Sequence, residues 1–507
     1  MAFNDVFFFL LGGTAWILVN GIYAQIPYIV IVFDGDYGVV SKITLCVTLS
    51  SLVPILLSVS FSQSLHRVPT TSSSKGTNDR KLDSSKRSSM SGTSLITDEN
   101  QDWYIDIGIG VMLSIGLMTA LTLTIWTEWV TSHFFPLMAT VIAGGIVGSA
   151  SSILYYPHAA TTTTPKDDVP STTTSVVKRQ TTALLFGTAT SNLFVAILSI
   201  LQQEIRRRIN LVRVYFGIIT ILMGLGITGF IGTLMIRFLY KTESECNQDN
   251  TDDLNSISEQ SSLLRASNDD ISSMSSEYTR QSQTPQKMSH DSLSFWEITY
   301  LNSTLNAAQF FLNALTFFLP GIVPYSVFKD DNEKKSSSDA LQYLIVFQLV
   351  AQSLGVLASS SHGNGAGQNF LYKEQHLAAG YQLASFFLLL WIPMVSLSLK
   401  HQKNFGIGVP IFFNTFINFA YCYCNTSWFH MLVHDRNQQH HYEHHHSNEG
   451  RGDSFASIIL RDEMKHLNGV STMSSVRVMG TWHQIGATIG SAIAFGLIQS
   501  TNVTKAR

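Results

Sequence analysis

Apolar stretches long enough to cross a bilayer alternate along the chain with runs of Ser, Thr, Asn, Asp, Lys and Arg. A membrane-crossing helix needs about 20 mostly apolar residues. That requirement selects eleven stretches, at 6–33, 39–61, 103–126, 133–156, 182–202, 211–240, 295–320, 340–361, 377–399, 407–433 and 473–499. The pattern predicts an all-α polytopic transmembrane bundle in a 6+5 arrangement, built like a solute carrier. Residues 1–240 form the six-span half, with a polar loop at 62–102, and 294–507 form the five-span half, with a His-rich loop at 435–470. Between them, 241–293 is rich in Ser, Asp, Asn and Gln and poor in aromatics, so it reads as a disordered cytoplasmic linker with too little apolar surface to fold alone.

Composition sharpens the class. Of 507 residues, 45% are hydrophobic and only 13% charged, against about 25% charged in soluble domains. Lys and Arg lie in loops and form no stripe interleaved with aromatics, so no nucleic-acid partner is expected; the lipid bilayer is one. Placing the N-terminus in the cytoplasm and the C-terminus outside puts most of the Lys and Arg on the inner face. The cluster Arg206, Arg207, Arg208 and Arg213 then falls outside, against the rule. The first apolar stretch lacks a basic leader and a small-residue cleavage site, so it reads as a retained span. Cys46, Cys246, Cys422 and Cys424 lack zinc-site spacing and read as packing residues or free thiols.

Within the spans the informative residues are polar. Trp16 and Asn20 are one helical turn apart, with Tyr23 on the same face, and Gln25 and Pro27 follow. Hydrocarbon offers an amide no partner, so such residues turn towards other helices or a wet cavity. Further amides occur at Asn192, Gln202, Asn306, Gln309, Asn313, Gln348, Gln352, Asn414, Asn418 and Gln484, beside His483. Each alone is explained equally well by hydrogen bonds that hold helices together. Together with Trp16, Tyr23, Phe310 and Trp482 they suit a neutral, flat, heteroaromatic solute that stacks and hydrogen-bonds. Glu128 and Arg237 lie near span ends and read as interfacial.

The tract His440, His441, His444, His445 and His446 is a weak metal candidate. A metal carrier also needs facing ligands at mid-membrane, which the spans do not supply. No nucleophile elbow, H-E-x-x-H or P-loop occurs, so neither an enzyme nor an ATP-driven pump is expected, and no cofactor.

The opening WILVNGIYAQIPYIV, residues 16–30, resembles the first span of eukaryotic riboflavin transporters (solute carrier family 52). SASSILYYP at 149–157, residues 187–202, LNAAQFFLNAL at 305–315 with the later Pro324–Tyr325 pair, and HQIGATIGS at 483–491 are similar in order and spacing. The resemblance spans most of the membrane core and none of the polar loops. It implies uptake of riboflavin across the plasma membrane by alternating access, with Trp16, Asn20, Gln25, Asn306 and Gln484 near the substrate. Where the family motif carries an acid, this chain has Gln25, and an amide cannot carry a proton. The residues alone leave open a carrier of another neutral solute such as a nucleoside, a metal-ion carrier, or a receptor or scaffold.

Overall fold

The computed structural model describes residues 3–33, 38–57, 95–161, 170–204, 210–265, 295–327, 334–362, 369–400, 407–434 and 472–505. Among these the secondary structure is helical, with no strand. Eight helical stretches are long and apolar enough to cross a membrane, and they follow the first eight expected spans in order. The chain is a multi-pass membrane protein. The last three expected spans are also helices: α13 (Asn369–Lys400), which holds a shorter apolar stretch at Gln382–Ser398, α14 (Gly408–His434) and α15 (Thr472–Lys505). Among the described residues, eight of the eleven expected spans meet this measure. The shortfall has a physical cause in α14 and α15, where Asn414, Asn418, Arg477, His483 and Gln484 lower the hydropathy and are buried against neighbouring helices.

The first span is broken into α1 (Phe3–Gly13), α2 (Ile17–Ala24) and α3 (Ile26–Val32). The Gly12–Gly13 pair precedes the first break, and Pro27 lies in the first turn after the second, where its missing N–H does least harm. Next come α4 (Gly38–Leu49), α5 (Leu95–Ile125), α6 (Thr127–Ser132), α7 (Phe134–Thr161), α8 (Pro170–Glu204) and α9 (Asn210–Arg265). The helix α9 runs well into the stretch expected as a disordered linker. Its membrane part has already met the cost of nucleation, so each added residue needs only to propagate the helix. The rest of that linker lies outside the described residues.

The second half holds α10 (Phe295–Leu301), α11 (Ser303–Ile322) continuing into a short 3-10 turn (Val323–Val327), and α12 (Lys334–His362), followed by α13 to α15. The expected seventh span is thus interrupted at Asn302. The closest pairings are α11 with α15 and α12 with α14 in this half, and α1 with α8 and α9 in the other. Between halves, α8 packs on α12, while α4 and α7 pack on α15. Two glycines allow the tightest approaches: a Cβ at Gly187 would overlap the Phe9 carbonyl oxygen, and one at Gly490 that of Ala314. Outward-facing apolar side chains such as Phe135, Phe238 and Leu389 are exposed, as a lipid-facing surface requires.

Candidate functional site: a central cavity between the halves

The first span's breaks place α2 at the centre of the bundle, where it meets α7 and α8 on one side and α12 on the other. A cavity opens there, lined from both halves. The cavity volume is about 160 Å³. The first half contributes Trp16, Asn20, Tyr23, Ser152, Tyr156 and Asn192; the second contributes Phe317, Gln348, Gln352, Tyr421, Asn425 and His483. Among the described residues, no Asp, Glu, Lys or Arg lines it.

Its aromatic wall crosses the interface. Trp16 lies 6.4 Å from Phe317 at 41°, and Phe317 meets the edges of both Tyr421 and His483 at 6.4 and 6.3 Å. Elsewhere on the wall Tyr156 stacks on Phe429, 4.7 Å apart and nearly parallel at 20°. Centroid separations of this kind are the favourable range for aromatic pairs.

The amides are held by one another. Asn20 Nδ2 donates to Asn192 Oδ1 at 2.6 Å, joining α2 to α8. Across the cavity Gln352 Nε2 donates to Asn418 Oδ1 at 3.0 Å, and Asn418 Nδ2 in turn donates to the Asn414 carbonyl at 2.8 Å. Each amide has more donor and acceptor positions than these bonds use. The site is therefore pre-set yet retains capacity for a ligand. Three lining atoms have no hydrogen-bond partner among the described residues: the Tyr23 hydroxyl, Asn425 Oδ1 and His483 Nδ1. A buried polar atom left so costs about 1–3 kcal/mol.

The residues expected to contact substrate divide. Trp16 and Asn20 line the cavity, with Tyr23 as expected from the shared face. Trp16 stands at the break before α2, and the Asn20 N–H still reaches its carbonyl at 2.9 Å, so one helical turn links them. Gln25 does not line the cavity: its amide exchanges two bonds with Gln202, at 2.7 and 3.0 Å, and so joins α8 to the α2–α3 break. Asn306 is buried in α11, donates to the Thr299 carbonyl at 3.2 Å, and lies away from the lining. Gln484 stands behind the wall, donating to the Oγ of the lining residue Ser152 at 2.9 Å. Its neighbour His483 is the one that faces in. Phe310 and Trp482 meet edge to face at 6.1 Å but outside the lining, with Trp482 Nε1 donating to Thr299 Oγ1. His440, His441, His444, His445 and His446 lie outside the described residues, and among those described no group of three potential metal ligands occurs.

The sequence reading passed over a buried ionic cluster away from the cavity. Asp106 of α5 accepts from His158 Nδ1 of α7 at 2.8 Å and from Arg237 of α9 at 2.6 Å, while His158 Nε2 meets Thr233 Oγ1 at 3.0 Å. Phe8 and Phe230 flank the imidazole. Arg237 is thus a partner in this cluster, whereas Glu128 is exposed as expected. Buried Asp5 pairs with Arg179 at 2.8 Å, joining α1 to α8. The available signal was an Asp and a His within two otherwise apolar spans.

No protein-family model matches the chain, and no curated protein matches it.

Proposed function

We propose that this protein is a carrier that takes up a neutral, planar, hydrogen-bonding solute across the plasma membrane by alternating access, and that the solute is riboflavin. The observation that carries the reading is the cavity between the halves, walled by Trp16 and Phe317 and by the amides Asn20, Asn192, Gln348 and Gln352, with no charged side chain. A fused heteroaromatic ring supplies a face to stack and an edge of donors and acceptors to exchange with amides. A cation, phosphate or metal ion would leave its charge unmatched in this wall. The resemblance of residues 16–30 to riboflavin transporters selects the flavin among neutral solutes. The same reading places the N-terminus in the cytoplasm and the C-terminus outside.

The test is uptake of labelled riboflavin into cells expressing the chain, with surface abundance matched between variants. Wild-type uptake should saturate and yield to excess unlabelled riboflavin but not adenosine. Asn20→Ala removes a cavity amide and the partner of Asn192, and should cut uptake about tenfold, the equivalent of about 1.4 kcal/mol. Competition by adenosine with none by riboflavin would move the assignment to a nucleoside. Absence of any uptake with the protein at the surface would refute the flavin assignment.

A further inference from the structure

Among the described residues, His483 is the only imidazole in the cavity wall. It is 4% exposed, and its Nδ1 has no hydrogen-bond partner among the described residues. Among the described residues the neighbouring amides do not supply its partner: Asn20 bonds Asn192, Gln352 bonds Asn418, and Gln484, next in sequence, bonds Ser152. Native structures rarely leave such atoms unmet, and in a cavity wall the missing partner is water or ligand. The position also has a direction. His483 packs edge to face with Phe317, which lies against Trp16, so the imidazole borders the aromatic wall on which a planar ring would stack.

We propose that His483 is the specificity-determining residue of this site, its Nδ1 reading the N–H of a cyclic imide on the edge of the bound ring. The inference rests on the carrier reading above and adds to it the chemical group recognised. A neutral imidazole offers one donor and one acceptor nitrogen, and Nδ1 has no partner among the described residues that would fix it as the donor. The lining provides no carboxylate or cation to compete. An imide N–H flanked by carbonyls is the edge that a lone acceptor nitrogen would select. It is shared by flavins and by uracil nucleosides and absent from adenosine.

The experiment measures binding to purified full-length protein, by thermal shift and by ligand fluorescence quenching or competition, with riboflavin, uridine and the N3-methyl form of each. Wild type should bind at least one parent and bind its N3-methyl form about tenfold more weakly. His483→Phe, which keeps a ring without the polar atom, should lose about tenfold in affinity for the parent and no longer distinguish the two forms. His483→Asn, which places an amide near the Nδ1 position, should recover part of the discrimination. Discrimination unchanged in a folded His483→Phe would overturn the proposal, as would wild-type protein binding neither parent. Uridine discriminated through His483 without riboflavin binding would uphold the imide reading while refuting the flavin assignment, so the two fail separately.

Discussion

At the scale of single residues, what a side chain does here depends on its partners more than on its type. Asp106 joins α5, α7 and α9 by accepting from His158 and Arg237. Asp106→Ala leaves both donors without their carboxylate in a mostly buried setting, which typically costs about 3 kcal/mol or more. The thermal midpoint in detergent should fall by several degrees, and less for Asp106→Asn, whose amide oxygen still accepts. A midpoint for the alanine variant equal to wild type would mean that the cluster does not hold these helices. The same dependence on partners explains which cavity residues were legible. Trp16, Asn20 and Tyr23 were, because one helical face within one span settles their common direction. Gln25 and Gln484 have the same chemistry but are consumed by Gln202 and Ser152. Those partners come from other helices, and no periodicity within a span discloses them.

At the scale of elements, hydropathy located seven of the eight candidate spans to within a few residues, the seventh in order being displaced by seven or eight, because a bilayer imposes both a minimum length and an apolar surface. It missed the breaks at 14–16 and at Asn302, where a local turn leaves the average apolarity unchanged. It also gave no sign of how closely the helices meet. In the most extensive pairing, α11 with α15, Gly490 faces the backbone of Ala314, and a methyl group there would overlap the carbonyl oxygen. Gly224 in α9 has nothing within 4 Å of the corresponding point. Gly490→Ala should therefore force the helices apart, costing about 1–3 kcal/mol or more. Gly224→Ala should be neutral or slightly stabilising, since alanine is the better helix former. Size-exclusion profiles and melting of the two variants check the contrast; equal behaviour would show that the α11–α15 contact yields without cost.

At the scale of the whole molecule, the proposed carrier would work by alternating access, in which the two halves separate and rejoin around the cavity. Two seams between the halves would then have to yield. On one side Gln342 of α12 donates to the Ser199 carbonyl of α8 at 2.8 Å; on the other Ser51 and Thr488 bring their hydroxyl oxygens to 2.8 Å. Both are polar contacts between small or flexible side chains, worth about 0.5–1.5 kcal/mol each, so neither locks the halves. A covalent bond would. The hydroxyl oxygens of Ser51 and Thr488, 2.8 Å apart, mark the place to introduce a disulfide, and neither position lines the cavity. After oxidation, the double variant Ser51→Cys with Thr488→Cys should lose uptake yet keep solute binding in purified protein, and a reductant should restore transport. Each single cysteine variant, treated with the same oxidant, should transport normally, which separates the crosslink from oxidation of Cys46, Cys422 or Cys424. Full transport by the crosslinked protein would show that the halves do not part at this seam, and the motion would then have to arise within a half, at the breaks flanking α2.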